Sequence, residues 1–264
     1  MKKTIKTIQS MKKKGEKISA LTAYEALFAG FLDNSGIDII LVGDSAGMIF
    51  GGQDTTIPIT MDDMIYHTKS VRRTVEEALL VVDMPFMSYQ VNAEEALRNA
   101  GRLMKEGGAE AVKMEGGARI LKQVKACVEA GIPVMGHLGL TPQSVNQFGG
   151  FMTQGKSAAE AETLKNDALA LQEAGVFAIV LEKIPAILAK SISKDLWIPT
   201  IGIGAGVNTD GQILVTQDML GMYEKFKPKF VRQYAQLAAE IKTSVSAFAA
   251  DVKTGCFPNE EESF

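Results

Sequence analysis

The chain reads as an α/β protein, a single (β/α)8 TIM barrel. Three observations predict it. Eight short apolar runs follow one another along the chain, helical patterns separate most of them, and the runs are continuous rather than alternating in polarity. Continuous apolar runs fit parallel strands covered on both faces. Strand and helix in repeated alternation close most economically as a barrel. A length of 264 residues suits one such barrel, and no Pro-, Gly- or Ser-rich linker divides it. Residues 1–264 are therefore read as one domain with an N-terminal helix and a C-terminal helix and tail. A doubly wound open sheet is the competing architecture.

The strands are assigned to "ISALTAY", "IDIILVGD", "ALLVVDMPF", "EAVKME", "PVMGHLGL", "FAIVLE", "IPTIGIGAG" and "QILVTQDML". Helix starts are marked between them. Thr60 with Asp63, Asn92 with Glu95, and Ser157 with Glu160 have capping-box spacing. Gly107-Gly108 and Gly175 sit where two of these helices should stop. Pro185 falls where another can begin. From Pro228 to Val252 the pattern predicts one long C-terminal helix, followed by an acidic irregular tail. The stretch from Thr141 to Lys156 after the fifth strand is long enough for a lid.

Composition narrows the function classes. Hydrophobic residues are 46% of the chain, charged residues 22%, and the net charge is -3. Nothing there points to nucleic acid. The lysine-rich start lacks a following apolar segment, so it is no secretory signal, and no apolar stretch is long enough for a membrane helix. The two cysteines, Cys127 and Cys256, make neither a disulfide framework nor a metal-ligand spacing. A cytoplasmic enzyme of small molecules fits these features.

The chemistry concentrates at strand ends, where the active sites of such barrels lie. Asp44, Asp83, Glu115 and Glu182 stand at or near the ends of four runs, with Ser45 beside Asp44. Carboxylates resist loss of water unless something positive compensates them. Lys113 and Glu115 are two apart and share a strand face. Three acids from adjacent strands offer hard oxygen ligands, which favour Mg²⁺. Glu182, farther round the barrel, suits a general base. Each acid also has a plain structural reading as a helix cap or loop contact, and Lys113 with Glu115 can be a structural pair. His137 ends the fifth run, as a packed histidine or as a contact to substrate or to a metal ligand. His67 sits mid-helix and reads as structural. The glycines of "IGIGAG" suit a phosphate cradle or close backbone packing at the rim.

The motifs "LTAYE", "VGDSAGM", "IPITMDDMIYHTKSVRR", "DMPFMSY", "VKMEGG", "GHLGLTPQSVNQFGGF", "LEKIP", "IGIGAGVNTDGQILV" and "PKFVRQYA" together resemble ketopantoate hydroxymethyltransferases, from about Lys3 to Phe264 and in the same order. The resemblance implies a phosphoenolpyruvate/pyruvate-type barrel and transfer of a hydroxymethyl group from 5,10-methylenetetrahydrofolate to 3-methyl-2-oxobutanoate. The product is ketopantoate, in pantothenate biosynthesis, formed through an enolate held at Mg²⁺. It implies metal ligands at Asp44, Asp83 and Glu115, and substrate contacts at Asp44, Ser45, Asp83 and Lys113. It also implies the proton acceptor at Glu182 and a homodecamer. Glu25 stands where the family usually has Asp, and Gln217 and Glu262 stand where it commonly has His. The alternative is a Mg²⁺-dependent lyase or mutase of the phosphoenolpyruvate mutase and isocitrate lyase type. Those barrels place a cysteine-bearing loop over the site, and neither Cys127 nor Cys256 is placed for that.

Overall fold

A computed structural model of the chain describes residues 1–224 and 227–264. It divides into two compact units, Met1–Leu214 and Val215–Phe264. The first contains β1 (Ile18–Thr22), β2 (Ile39–Val42), β3 (Leu79–Asp83), β4 (Ala111–Glu115), β5 (Val134–Gly139), β6 (Ala178–Glu182), β7 (Thr200–Ile203) and β8 (Gly211–Leu214). They form a closed barrel in sequence order, and β1 pairs with β8 in parallel to seal it. Its helices are α1 (Ile5–Lys14), α2 (Ala26–Asn34), α3 (Ala46–Ile49), α4 (Met61–Arg72), α5 (Ala93–Arg102), α6 (Leu121–Glu129), α7 (Val145–Phe148), α8 (Ala158–Glu173) and α9 (Ala186–Asp195). The second unit holds α10 (Thr216–Met219) and α11 (Leu237–Thr254). No helix among the described residues is long and apolar enough to cross a membrane.

The capping signals act as expected, with one reduced. Thr60 with Asp63 and Ser157 with Glu160 make full capping boxes at α4 and α8. Asn92 accepts from the Glu95 N–H, which is the first half of a box. Glu25 caps α2 by accepting from the Leu27 and Phe28 N–H groups, so the longer acid there keeps a local role. The link from β7 to β8 carries no helix. Asp210 pins it by accepting from the Thr200 N–H at 2.8 Å and from Lys12 Nζ at 2.8 Å. Gly206 lies there at φ 81°, and a Cβ would come within 2.5 Å of the Ala186 Cβ, so this glycine serves close packing.

Strand parity explains how the barrel changes character along its axis. Alternate residues Leu79, Val81, Ala111, Met135, Ala178 and Val180 join one apolar cluster with Ile8 and Met11 of α1. The next residues with the same parity are Asp83, Lys113, His137 and Glu182. Residues in and before α1 bond the N-terminal rim: the Lys3 N–H donates to Glu77 O at 2.6 Å, and Gln9 Nε2 to Phe177 O at 3.4 Å. Apolar burial therefore fills the N-terminal end, and the ionisable groups gather at the other.

In the second unit the helix expected from Pro228 begins only at Leu237. The reason is competition for backbone donors. The N–H groups of Tyr234, Leu237 and Ala238 donate to the carbonyls of Met219, Leu220 and Gly221, which takes them from a helical ladder. Glu262 completes a capping box with Asn259 in the short turn that ends the chain.

Candidate active site

The structure brings all the expected site residues of the first unit to the C-terminal mouth of the barrel. Asp83 ends β3, Lys113 and Glu115 lie on β4, His137 on β5, and Glu182 ends β6. Asp44 and Ser45 follow β2. Register does the assembly: Asp83 pairs with Lys113 across β3 and β4, and Glu115 pairs with His137 across β4 and β5. Asp44, Asp83, Lys113, Glu115 and His137 are each at most 4% exposed, which decides that their charges must be answered within the protein.

Lys113 supplies the central positive charge. Its Nζ lies 2.7 Å from Asp83 Oδ1 and 3.9 Å from Glu115 Oε1. It also lies 3.1 Å from His137 Nδ1, where it can donate only if that nitrogen is unprotonated. His137 Nε2 faces Glu182 Oε2 at 3.2 Å. One histidine thus links the β4 cluster to the acid on β6. Ser45 Oγ shares a 2.7 Å hydrogen bond with Tyr24 Oη.

The electrostatics follow from dry carboxylates crowding one ammonium. Burial, then the charges of Asp83 and Glu115, pushes the Asp44 carboxyl well above its ordinary range. Burial also raises Asp83, though Lys113 partly offsets it. Burial opposes ionisation of Glu115 too, but hydrogen bonding and charge from His137, with Lys113 and the Gln143 N–H, hold it below the usual carboxylate range. Burial opposes the charge on Lys113, and Asp83, Glu115 and Asp44 outweigh it and raise the pKa. Burial and Lys113 disfavour protonation of His137, yet Glu115 and Glu182 push it up to about 9.

Two residues outside the sequence-based candidates, Gln143 and Tyr89, organise this cluster. Gln143, in the turn after β5, is buried. Its Nε2 donates to Asp44 Oδ2 and to Met84 O, each at 2.9 Å. Its backbone N–H donates to Glu115 Oε2 at 3.0 Å. Its Oε1 accepts from Tyr89 Oη at 2.8 Å and from Gln90 Nε2 at 3.0 Å. Tyr89 Oη in turn accepts from the Glu115 N–H at 3.0 Å. This belt joins the loops after β2, β3 and β5 to the end of β4. Gln143 lies within "GHLGLTPQSVNQFGGF", so the motif was visible and its contacts were not.

The loop from Thr141 to Lys156 is tied at both ends. Gln143 holds the first, and near the second the Gln154 N–H donates to Lys183 O at 3.1 Å. Lys183 Nζ also donates to Phe151 O. Lys183 sits at φ 48°, an uncommon left-handed conformation for a non-glycine residue, directly after Glu182. His67 is tied to Tyr24 O through Nδ1 at 2.6 Å, in keeping with a structural role.

The ketopantoate hydroxymethyltransferase family model matches residues 2–260. The chain belongs to the ketopantoate hydroxymethyltransferase family. It is 56% identical over 264 residues to the 3-methyl-2-oxobutanoate hydroxymethyltransferase of Clostridium botulinum, covering 100% of this chain and 96% of that protein. It is 54% identical to the one from Syntrophus aciditrophicus, covering 99% and 96%. Membership makes the chain an enzyme, a transferase. Among solved structures it resembles phosphonopyruvate hydrolase in complex with oxalate and Mg²⁺, with a TM-score of 0.63 at 14% identity, covering 99% of this chain and 93% of that one. It also resembles 2,3-dimethylmalate lyase, of the phosphoenolpyruvate mutase and isocitrate lyase superfamily, with a TM-score of 0.62 at 13% identity, covering 100% and 89%. At such identity these two establish the shared barrel and nothing of the chemistry.

Among the described residues no three His, Cys, Asp or Glu side chains stand together as a preassembled metal cage. Asp44, Asp83 and Glu115 nevertheless present three buried carboxylates around the single ammonium of Lys113, and burial, followed by the charges of the other two acids, raises the pKa of Asp44. A dication held by one or two carboxylates, with water and substrate completing its shell, fits such a donor set.

Proposed function

We propose that this chain transfers a hydroxymethyl group from 5,10-methylenetetrahydrofolate to 3-methyl-2-oxobutanoate, giving ketopantoate in pantothenate biosynthesis. The observation that carries the mechanism is the line of side chains from Lys113 through His137 to Glu182. It sets a fixed ammonium at one end of a row of side chains and a carboxylate at the other. Asp44 and Asp83 would hold Mg²⁺, with Glu115 beside them. When bound, that ion would supply a Lewis acid to stabilise charge on the keto oxygen of the oxo acid.

The chain's own residues do the rest. Lys113 stays charged despite burial and offers positive charge to the substrate carboxylate, a preorganised contribution needing no rearrangement. Ser45 offers its hydroxyl to the same end of the substrate. Glu182 takes the C3 proton of the oxo acid, and His137 orients it. The carbanionic C3 forms a bond to the one-carbon unit, water supplies its hydroxyl oxygen, and the carbon's two bonds to the folate nitrogens break; the C3 proton and the two protons of water end on the new hydroxyl and on the two nitrogens of the released tetrahydrofolate. The enzyme works in the cytoplasm, consistent with free Cys127 and Cys256, and assembles as a homo-oligomer, a decamer by family resemblance.

The test is proton exchange, because it isolates the Glu182 step from carbon transfer. With Mg²⁺ and no folate, Glu182→Gln should still bind 3-methyl-2-oxobutanoate but lose about 10²–10⁴-fold in C3 exchange with D₂O followed by NMR. Exchange at the wild-type rate would remove Glu182 from the role.

A further inference from the structure

A cavity of about 430 Å³ opens beside the carboxylate cluster and shares Glu115 and Gln143 with it. This volume is in the usual range for a small-molecule site. Its apolar walls are Ile57, Phe86 and Ile120, with the ring of Tyr89. Its polar lining is unusual for a packing defect. Gln123 is only 8% exposed, and its Oε1 has no hydrogen-bond partner among the described residues. A buried acceptor left unpaired costs about 1–3 kcal/mol. Four residues earlier, in the turn before α6, stands Arg119, which spends one N–H on Ser144 Oγ at 2.9 Å and keeps other donors for a ligand.

We propose that this cavity binds the reduced pteridine ring of the one-carbon carrier. The inference rests on the folate reading above and adds where the carrier sits. A 2-amino-4-oxopteridine presents a carbonyl acceptor next to two N–H donors along one edge. Arg119, in the short turn before α6, is a donor and Gln123, on α6, an acceptor, and both line the same cavity. A donor and an acceptor on one wall answer the carbonyl and the amino group of such an edge. The apolar walls with Phe86 and Tyr89 suit the flat faces of the bicycle. The border formed by Glu115 and Gln143 then puts the one-carbon unit, carried near the ring, beside the carboxylate cluster, as a transfer between two bound partners requires.

The experiment measures tetrahydrofolate affinity by anaerobic titration calorimetry on the Mg²⁺-loaded protein, in wild type, Gln123→Met and Arg119→Met. Each variant should raise Kd by about tenfold, the effect of one lost hydrogen bond to a desolvated group. Arg119 is exposed, so its variant tests the cavity without touching the core. 6,7-Dimethyltetrahydropterin, which lacks the aminobenzoyl-glutamate tail, should bind wild type and show the same losses. An unchanged Kd for tetrahydrofolate in either variant overturns the proposal, as does binding of p-aminobenzoyl-glutamate without binding of the tetrahydropterin. The function reading fails separately, by absence of C3 exchange or of folate-dependent product in the wild-type protein.

Discussion

Replacing Lys113 by Met keeps the length of the side chain and removes the central charge of the cluster. The ammonium lies 2.7 Å from Asp83 and 3.9 Å from Glu115. At an effective dielectric of about 20 such pairs are worth roughly 6 and 4 kcal/mol. Desolvation of the ammonium takes back several kcal/mol, and removing one partner of a buried pair costs about 3–5 kcal/mol net. For a chain of this size that is a fall on the order of 10 °C in Tm. The sign of the pH dependence is decisive. Asp44 and Asp83 already have raised pKa values in the folded state, and losing Lys113 raises both further. An acid whose folded pKa exceeds its unfolded value of about 3.9 destabilises as pH rises from that value through the folded one. The deficit of Lys113→Met should therefore be large at pH 7.5 and smaller at pH 5.5, as the cluster protonates. Thermal melts of both proteins at the two pH values read it. A deficit equal or larger at pH 5.5 would refute the account of the cluster as carboxylates balanced on one ammonium.

Tyr89→Phe removes the acceptor of the Glu115 N–H and the donor to Gln143 Oε1, so it should cost about 1–3 kcal/mol in urea unfolding. Gly139→Ala places a Cβ 2.2 Å from Glu182 O at a backbone φ of 92°. It should displace the end of β6 and cut C3 exchange far more than it lowers Tm; a variant with full exchange contradicts that geometry. Asp33 is held below its usual pKa: burial opposes ionisation, and the N–H groups of Ala78, Glu76 and Glu77 outweigh it. Asp33→Asn should lose roughly 2 kcal/mol at neutral pH. Because the folded pKa is depressed, that stability is present above about pH 4 and disappears as pH falls through the folded value, so wild-type and variant denaturation curves should converge in acid.

The strands and the acids at their ends are legible in the sequence because both are local properties. A continuous apolar run marks a strand covered on two faces, and the residue after it marks the rim. Asp83, Lys113, Glu115 and Glu182 follow from that reasoning alone, and family resemblance attaches roles to them. Capping residues at α4 and α8 are local in the same way, since donor and acceptor are three positions apart. What only the tertiary structure decided is non-local. Gln143 meets Asp44 across 99 positions of sequence and Tyr89 across 54, and nothing in the neighbourhood of any of the three announces the contact. The cavity with Gln123 exists because four loops meet. The late start of α11 has the same origin, since the N–H groups of Tyr234 and Leu237 find partners at Met219 and Leu220, outside any helical repeat. Sequence patterns record which groups prefer to be buried; which buried polar groups satisfy each other is settled only when the chain closes.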